Sequence, residues 1–476
     1  MKNSMEKYEK LLTELNAGIW EYAELKFKEH QSAALIEKVL EEQGFVLERR
    51  IAGMETAFTA TAGNGRPVIG ILAEFDALSG LSQEPCLTRP QPRAETENGH
   101  GCGHCLLGTA AVGAALAVRD YLEESGKSGT VVLAGCPAEE GGSGKAYMAR
   151  EGVFDNMDLA LTWHPGGGYA VITGSFQANC QAYFRFKGIS AHAANTPHLG
   201  RSALDAVELM NVGANYMREH IESSERIHYA ITDTGGVSPN VVQNHAEVLY
   251  LVRSENGEKV KKLYERLCKI AQGAAMMTET QVEIVFDKAC SNVISNSTLE
   301  SLLYESMNRV PLPTYTEAEI QFAREMKETI TYTDISSDLS LSFLTGEKKR
   351  RLTERYQELP MADFVIPHSH RDMCIPGSSD VGDVSHVVPT AQFIGACFVP
   401  GTPAHSWQMV SQGKSNTAVK GMLYAACVLA DAAKRLIEEP EIIQKARREF
   451  EDETEGNSYV CPIPSQVKPN GNDGKI

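Results

Sequence analysis

The chain has 476 residues, of which 42% are hydrophobic and 22% charged, a composition typical of a folded protein with more than one domain. Its net charge of −17 disfavours contact with a phosphate backbone, so no nucleic-acid partner is expected. The sequence contains no uninterrupted apolar run of about 18 residues, so it predicts neither a membrane-spanning helix nor a membrane partner.

The predicted elements begin with helices over the first 45 residues, where apolar residues recur at helical spacing until Gly44. A strand follows at Val68–Ala73, and a long helix of small residues begins near Cys105 and ends at Gly126. Further strands are predicted within GTVVLAGC (129–136), DLALTW (158–163) and TAQFIGACF (390–398). Strands that alternate with helices predict an α/β catalytic domain with a mixed sheet and helices on both faces.

The middle of the chain has a different pattern. From about Tyr183 to Val285, strands and helices alternate as in a separate, smaller α+β domain inserted into the first. We place the first part of the catalytic domain at 1–183, the inserted domain at 184–288, the second part at 289–440, and a helix end with a loose tail at 441–476. Within the second part, residues 312–375 are polar and weakly periodic, and we interpret them as an insertion or lid.

The cysteines and the N-terminus bear on localisation. Eleven cysteines are scattered without a paired spacing, which favours a reducing, cytoplasmic setting. The first residues, MKNSMEKYEKLL, are charged and lack the apolar core of a signal peptide. We therefore expect a cytoplasmic protein.

Residues with chemical functions stand where the predicted strands end. They are Glu74 and Asp76, Cys102 and His104 before the long helix, Glu139 and Glu140, His164, and His405. Ligands of open α/β sheets bind beyond the carboxyl ends of the strands, so we expect these side chains at one edge. Thiolate, imidazole and carboxylate are the ligands of zinc and other divalent transition metals.

This ligand set favours metal-dependent hydrolysis. One of the adjacent residues Glu139 and Glu140 can bind metal while the other takes a proton from water. Because five or more ligands are available, two metals that share a bridging ligand fit better than one.

The stretch ENGHGCGHCLLGTA, at 97–110, allows other interpretations. Cys102 and Cys105 can be a redox pair or half of a structural zinc site, although the sequence has no second paired half. A single histidine such as His164 is more often a core residue than a ligand. The joint placement at strand ends favours the catalytic interpretation, and His100 is then a non-ligand.

Several segments together resemble one clan of enzymes. They are GHGCGHCLLGTAA, CPAEEGGSGKAYMAREGVFD, LALTWHP, GISAHAANTPHLGRSALDAV and PGTPAHSWQ. This set is similar to the dinuclear metallopeptidases that include aminoacylases, glutamate carboxypeptidases and indole-acetyl-amino-acid hydrolases. The resemblance spans about residues 36 to 433 and is strongest to the group of aminobenzoyl-glutamate hydrolase B subunits.

The resemblance implies a ligand set and a base. Cys102 would bridge two metals as a thiolate, and the other ligands would be His104, Glu140, His164 and His405. Glu139 would be the general base. The cofactors would be two divalent ions per subunit, Zn²⁺ or Mn²⁺.

Other roles are implied for residues that bind no metal. Asp76 would hold a ligand histidine in the required tautomer. His192 would reach the active site of the partner subunit and stabilise the oxyanion, while Asn240 and Arg253 would help to hold the substrate carboxylate. Cys105 stands where relatives commonly have Asp or Asn, so we expect it in the first helical turn, beside the ligands but not bound to metal.

The resemblance also implies function and partners. The inserted domain would serve dimerisation and act as a lid, in a homodimer or in a heteromer with a homologous subunit. The enzyme would be a metal-dependent amidohydrolase or carboxypeptidase that releases a free amino acid from an aminobenzoyl-glutamate-like substrate with a free carboxylate. Alternatives are hydrolysis of other N-acyl amino acids or dipeptides, and a metal-binding partner subunit active only in a heteromer.

Overall fold

The computed structural model describes residues 2–469. The helices are α1 (Lys2–Tyr22), α2 (His30–Glu42), α3 (His104–Ser125), α4 (Gly144–Arg150), α5 (Ala203–Met217), α6 (Gly257–Thr278), α7 (Ser297–Arg309), α8 (Glu317–Lys327), α9 (Tyr332–Ser337), α10 (Leu339–Ser342), α11 (Gly346–Glu358), α12 (Val381–Ser385), α13 (Trp407–Gln412), α14 (Asn416–Glu438) and α15 (Pro440–Glu453).

The strands alternate with these helices over most of the chain. They are β1 (Val46–Arg49), β2 (Phe58–Asn64), β3 (Val68–Glu74), β4 (Gly129–Cys136), β5 (Leu159–Gly166), β6 (Ala170–Val171), β7 (Ser175–Phe176), β8 (Ala178–Lys187), β9 (Arg226–Asp233), β10 (His245–Ser254), β11 (Gln281–Cys290), β12 (Cys374–Ile375) and β13 (Thr390–Ala396).

The chain divides into two compact units. Within the described residues, unit 1 comprises 2–174, 294–373 and 384–459, and unit 2 comprises 175–293, 374–383 and 460–469. The boundaries expected at 183/184 and 288/289 fall inside β8 and β11. β8 and β11 pair with each other from Asn179 to Lys187 and from Gln281 to Cys290, so both strands belong to unit 2.

Unit 1 is built on a mixed seven-stranded sheet. Its strand order is β1-β2-β4-β3-β5-β13-β6, in which β4, β3, β5 and β13 run parallel and the outer pairings are antiparallel. Helix α3 packs on β3, β4 and β5 and also contacts α1 and α14. By length and composition α3 could cross a membrane, but 83% of its apolar window is buried in the protein, as in a core helix.

The segment expected to be an insertion or lid, 312–375, is helical and belongs to unit 1 as far as residue 373. It contains α8 to α11, and two of these helices begin with reciprocal capping boxes, Thr316 with Glu319 and Thr331 with Asp334. Short helices with strong caps have little periodicity, which is why the sequence pattern did not reveal them.

The C-terminal part, expected at 441–476 as a helix end and a loose tail, begins with a helix. Helix α15 occupies Pro440–Glu453 and buries Ala446 and Phe450. Residues 454–469 contain neither helix nor strand, and the remainder of the expected tail lies outside the described residues.

Unit 2 consists of an antiparallel sheet, β11-β8-β10-β9, and the helices α5 and α6, which contact each other and the sheet. Large apolar side chains remain exposed on this unit. Along α5 they are Leu209, Val212 and Tyr216, and on the edge strand β9 they are Tyr229 and Ile231. Unit 2 therefore presents an apolar helix face and an open strand edge to its surroundings.

Candidate metal centre

The site residues of unit 1 come together because four parallel strands end at one edge of its sheet. Glu74 closes β3, His164 lies near the end of β5, and the loops after β4 and β13 carry Glu140 and His405. Gly103, with φ of 78°, turns the chain in the left-handed region directly before α3 and places Cys102 at the helix start.

Three ligand residues form what we call the inner group: Cys102, His104 and His164, whose ligand atoms all lie within 4.8 Å of one another. Cys102 Sγ is 3.3 Å from His164 Nε2. His164 Nδ1 donates to the Pro165 carbonyl at 2.9 Å, so Nε2 of the neutral ring is free to bind a cation. Two ligand atoms of one tetrahedral zinc lie about 3.5 Å apart, so the spacing fits a shared ion.

Asp76 fixes the orientation of His104. His104 Nδ1 donates to Asp76 Oδ1 at 2.9 Å, which leaves Nε2 as the ligand atom. This Nε2 is buried and makes no hydrogen bond within residues 2–469, although Glu74 Oε2 lies 3.3 Å from it. The second oxygen of Asp76 accepts the Glu140 backbone N–H at 2.9 Å, so one carboxylate orients both a histidine and a ligand-bearing loop.

Three residues form the outer group: Cys102 again, with Glu140 and His405. His405 Nε2 lies 3.5 Å from Glu140 Oε2, and the other oxygen of Glu140 is buried without a hydrogen-bond partner in the part of the chain that the structure describes. The His405 side chain is 53% exposed, and its backbone has a φ of 55° in the left-handed region. Its N–H donates to the Gly101 carbonyl at 2.8 Å, next to Cys102.

The electrostatics of the two groups fit a cation. Burial and the Glu140 carboxylate raise the pKa of the Cys102 thiol well above its usual value. Burial would lower the pKa of His104, but Cys102 and Asp76 raise it well above its usual value. Burial would raise the pKa of Glu140, but His405 and His104 hold it at about 2. A divalent ion would displace the protons held by Cys102 and His104 and would occupy the unpartnered ligand atoms.

Sequence reasoning missed a buried ion pair beside these groups. Lys145 Nζ lies 2.6 Å from Glu74 Oε1, and both side chains are almost fully buried. Glu74 Oε2 is 3.3 Å from His104 Nε2, and Glu74, His104 and Glu139 form a third cluster within 4.8 Å. Burial opposes the charge of Glu74, yet Lys145 and His104 keep its pKa below the usual value. The signal was a single lysine among small residues in GGSGKAYM.

The loop that carries Glu139 and Glu140 is held from outside by the turn before α2. Buried Glu29 accepts the Ala138 N–H through Oε1 and the Thr56 hydroxyl through Oε2, both at 2.9 Å. Burial and the nearby Asp76 carboxylate raise the pKa of Glu29 to about 8. No motif marks Glu29, because its contact with Ala138 joins residues 109 positions apart.

Three predicted site residues lie in unit 2. His192 is exposed, and its Nδ1 accepts the N–H groups of Ala194 and Asn195, so the ring proton is on Nε2. The backbone carbonyl of Asn240 accepts the N–H of Ala193, the residue after His192, at 3.0 Å. Arg253 donates to the Ser378 hydroxyl at 2.7 Å, and burial lowers its pKa. The roles expected of these residues stay predictions.

The two remaining candidates of the stretch at 97–110, His100 and Cys105, are buried. Cys105 lies in the first turn of α3, as expected, and burial raises the pKa of its thiol to about 12. A redox pair needs an accessible thiolate, so this environment disfavours one. His100 Nε2 donates to the Ile19 carbonyl at 3.0 Å, and burial lowers its pKa to about 4, as for a neutral core histidine.

Comparison with known proteins now adds to this geometry. Residues 71–409 match the peptidase family M20/M25/M40. The chain belongs to this family. The resemblance inferred from the sequence is confirmed, and so are the α/β fold with an inserted domain and the assignment as a metallo-amidohydrolase acting on amide bonds.

Individual members of the family resemble the chain over most of its length. The B subunit of p-aminobenzoyl-glutamate hydrolase from Escherichia coli K12 is 47% identical, over 96% of this chain and 95% of that protein. The Xaa-Arg dipeptidase of Mus musculus is 27% identical over 92% and 88%. A dinuclear metal-binding M20 peptidase from Bacillus subtilis shares the fold, with a TM-score of 0.53 and 18% identity over 89% of this chain and 98% of that one.

Proposed function

We propose that the protein uses two divalent ions to hydrolyse an aminobenzoyl-glutamate-like amide and release the free amino acid. The observation that carries this proposal is that the inner and outer groups are two sets of three ligands that share Cys102. A shared thiolate matches a dinuclear site better than two separate sites. Zn²⁺ and Mn²⁺ are both candidates, and the thiolate favours zinc.

The chain's own residues divide the chemistry between them. When bound, the ions supply Lewis acidity to the amide carbonyl and to the attacking water. Glu139 accepts the proton of that water and delivers it to the leaving amine. Asp76 keeps His104 in the ligand tautomer through their 2.9 Å hydrogen bond.

Residues of unit 2 are proposed to complete the reaction. The free Nε2–H of His192 would donate to the oxyanion in the active site of a partner subunit, as in the resembled clan. Arg253 and Asn240 would bind the substrate carboxylate. The half-buried guanidinium of Arg253 suits a carboxylate ligand.

A substrate panel tests this function. The purified chain, supplied with Mn²⁺ or Zn²⁺, is assayed with aminobenzoyl-glutamate, its α-methyl ester, N-acyl amino acids and dipeptides. We expect the free acid of aminobenzoyl-glutamate to be the best substrate and Arg253→Ala to raise KM for the acid but not for the ester. If a dipeptide were the best substrate, the proposed substrate class would be wrong and the protein would be a dipeptidase. The likeness to the Xaa-Arg dipeptidase favours this alternative.

The 47% identical relative is named as one of the subunits of its hydrolase, which favours a second candidate in which this chain works only in a heteromer. In that case the chain alone binds metal, but it hydrolyses the substrates of the panel far more slowly than a complex with a homologous subunit does. Full activity of the isolated chain would exclude this candidate.

We propose that unit 2 forms the subunit interface. The exposed apolar row Leu209, Val212 and Tyr216 follows helical spacing, and β9 adds an open edge. The substitutions Val212→Asp and Tyr216→Glu should shift the molar mass measured by light scattering from dimer to monomer. Glu124→Lys, at an exposed position near the end of α3 in unit 1, is the matched control. A cytoplasmic location also remains part of the proposal, supported by the free state of the cysteines.

A further inference from the structure

The loop that carries His405 follows β13 and contacts the helical segment 312–373. Val399, near the start of the loop, is buried in a cluster with Ala323, Met326 and Met361, and Trp407 beyond the loop packs on the same cluster. Both ends of the loop are therefore attached to this segment by apolar packing.

Two charged side chains of the segment bind the backbone of the loop directly. Lys327 Nζ donates to the Pro400 carbonyl at 3.0 Å and to the Tyr356 carbonyl at 2.6 Å. Asp338 Oδ2 accepts the Gly401 N–H at 2.9 Å, while its Oδ1 accepts the Ser340 N–H and caps α10. Lys327 and Asp338 thus bind the two polar atoms of a single peptide group, the one between Pro400 and Gly401.

The backbone of the loop cannot hold its shape unaided. Gly401 has a φ of 86°, and a Cβ at this position would lie 2.8 Å from Ile335 Cα. His405 has a φ of 55°, which costs energy for a residue with a Cβ. Such a conformation persists only where surrounding contacts determine it. The segment 312–373 supplies those at Pro400 and Gly401, and Gln412 binds Val399 and Thr402.

We propose that the segment 312–373 is a support for the outer metal ligand, and that Asp338 and Lys327 are positioning residues that place His405 against Glu140 and Cys102. This inference rests on the proposed function, because it takes His405 as a ligand. The segment 312–373, which the sequence pattern indicated only as an insertion or lid, would then have a defined function. The histidines of the inner group, His104 and His164, stand on α3 and β5 instead.

Metal titration of the full chain tests the proposal without relying on turnover. Zn²⁺ binding is measured by calorimetry, and Co²⁺ binding by the thiolate charge-transfer band, for the wild type and for Asp338→Ala and Lys327→Met. We expect the affinity for the second equivalent to fall by about 10- to 100-fold, the usual loss when an outer contact of a ligand is removed. The affinity for the first equivalent should not change.

Matched controls separate positioning from general stability. Asp334→Ala removes a helix cap in the same segment, and Lys420→Met removes the tie to the Thr314 carbonyl, but neither side chain contacts the His405 loop. Both should keep both metal affinities. Asp338→Asn retains one acceptor and should restore part of the loss.

The outcomes are distinct. A wild type that binds a single equivalent contradicts the dinuclear function itself. A wild type that binds two, with unchanged second-site affinity in folded Asp338→Ala or Lys327→Met, overturns the support proposal alone. If Asp338→Ala does not fold, Lys327→Met decides, because methionine retains the apolar stem of the lysine.

Discussion

The inner and outer ligand groups share Cys102 but are built in different ways. His104 and His164 stand on a helix and a strand, where the surrounding core fixes their side chains, and the His104 side chain is fully buried. Glu140 and His405 stand on loops, and His405 is half-exposed. Regular structure therefore positions the inner ligands, whereas the outer ones depend on contacts from distant segments, namely Glu29, Lys327 and Asp338.

Removal of the proposed base gives the largest expected effect on activity. It also tests whether Glu139 is a ligand in the inner or the outer group. Glu139→Gln should lower kcat by about 10²- to 10⁴-fold, because no carboxylate takes the proton of the attacking water. Both metal affinities should stay unchanged. A clear loss of metal in calorimetry would instead make Glu139 a ligand, and the division into two groups of three would need revision.

The buried ion pair tests the rigidity of the inner group. Lys145→Met leaves Glu74 charged and without its ammonium partner, which should reduce the free energy of unfolding by about 3–5 kcal/mol. Denaturant unfolding of the metal-free protein measures this loss. The double variant Glu74→Gln with Lys145→Met is the control and should recover most of it. Equal losses in both variants would show that the charge of Glu74 is not the cause.

A substitution at Glu29, which contacts no ligand side chain, should nevertheless disturb the outer group. Glu29→Ala removes the acceptor of the Ala138 N–H and should lower kcat by about 10- to 100-fold. Glu29→Gln keeps an acceptor and should remain close to the wild type. Glu24→Ala, which loses only contacts to the start of α2, serves as control. Equal activity of Glu29→Ala and Glu24→Ala would contradict a role for Glu29 in this loop.

The smallest expected effect is a pH dependence of stability. The pKa of Glu29 is about 8 in the folded state, against about 4.3 in an unfolded chain, so the folded state binds more protons between these values. Its contribution is present at low pH and is lost as pH rises through 8, by at most about 1.4 kcal/mol per unit. Urea unfolding of the metal-free protein from pH 5.5 to 7.5 should show this slope in the wild type and a flatter one in Glu29→Gln.

The sequence predicted the parts of this molecule that local patterns encode. Apolar runs located the strands, and the residues at their ends, such as Glu140 and His164, met at one edge because parallel strands end together. Contacts across long separations left no pattern, as with Lys145 and Glu74 or Asp338 and Gly401. The capping boxes at Thr316 and Thr331 were readable signals of helices in the segment taken for a lid.

The position of β13 in the sheet has a consequence for the order of synthesis. This strand, Thr390–Ala396, lies between β5 and β6, although both are made more than 200 residues earlier. While a ribosome extends the chain, β5 has an unpaired apolar edge, and His405 does not yet exist to complete the outer group. Such an edge invites association with other nascent chains. Chains that stop before residue 390 should therefore accumulate as insoluble protein, whereas chains that pass residue 438, where α14 ends, should be soluble.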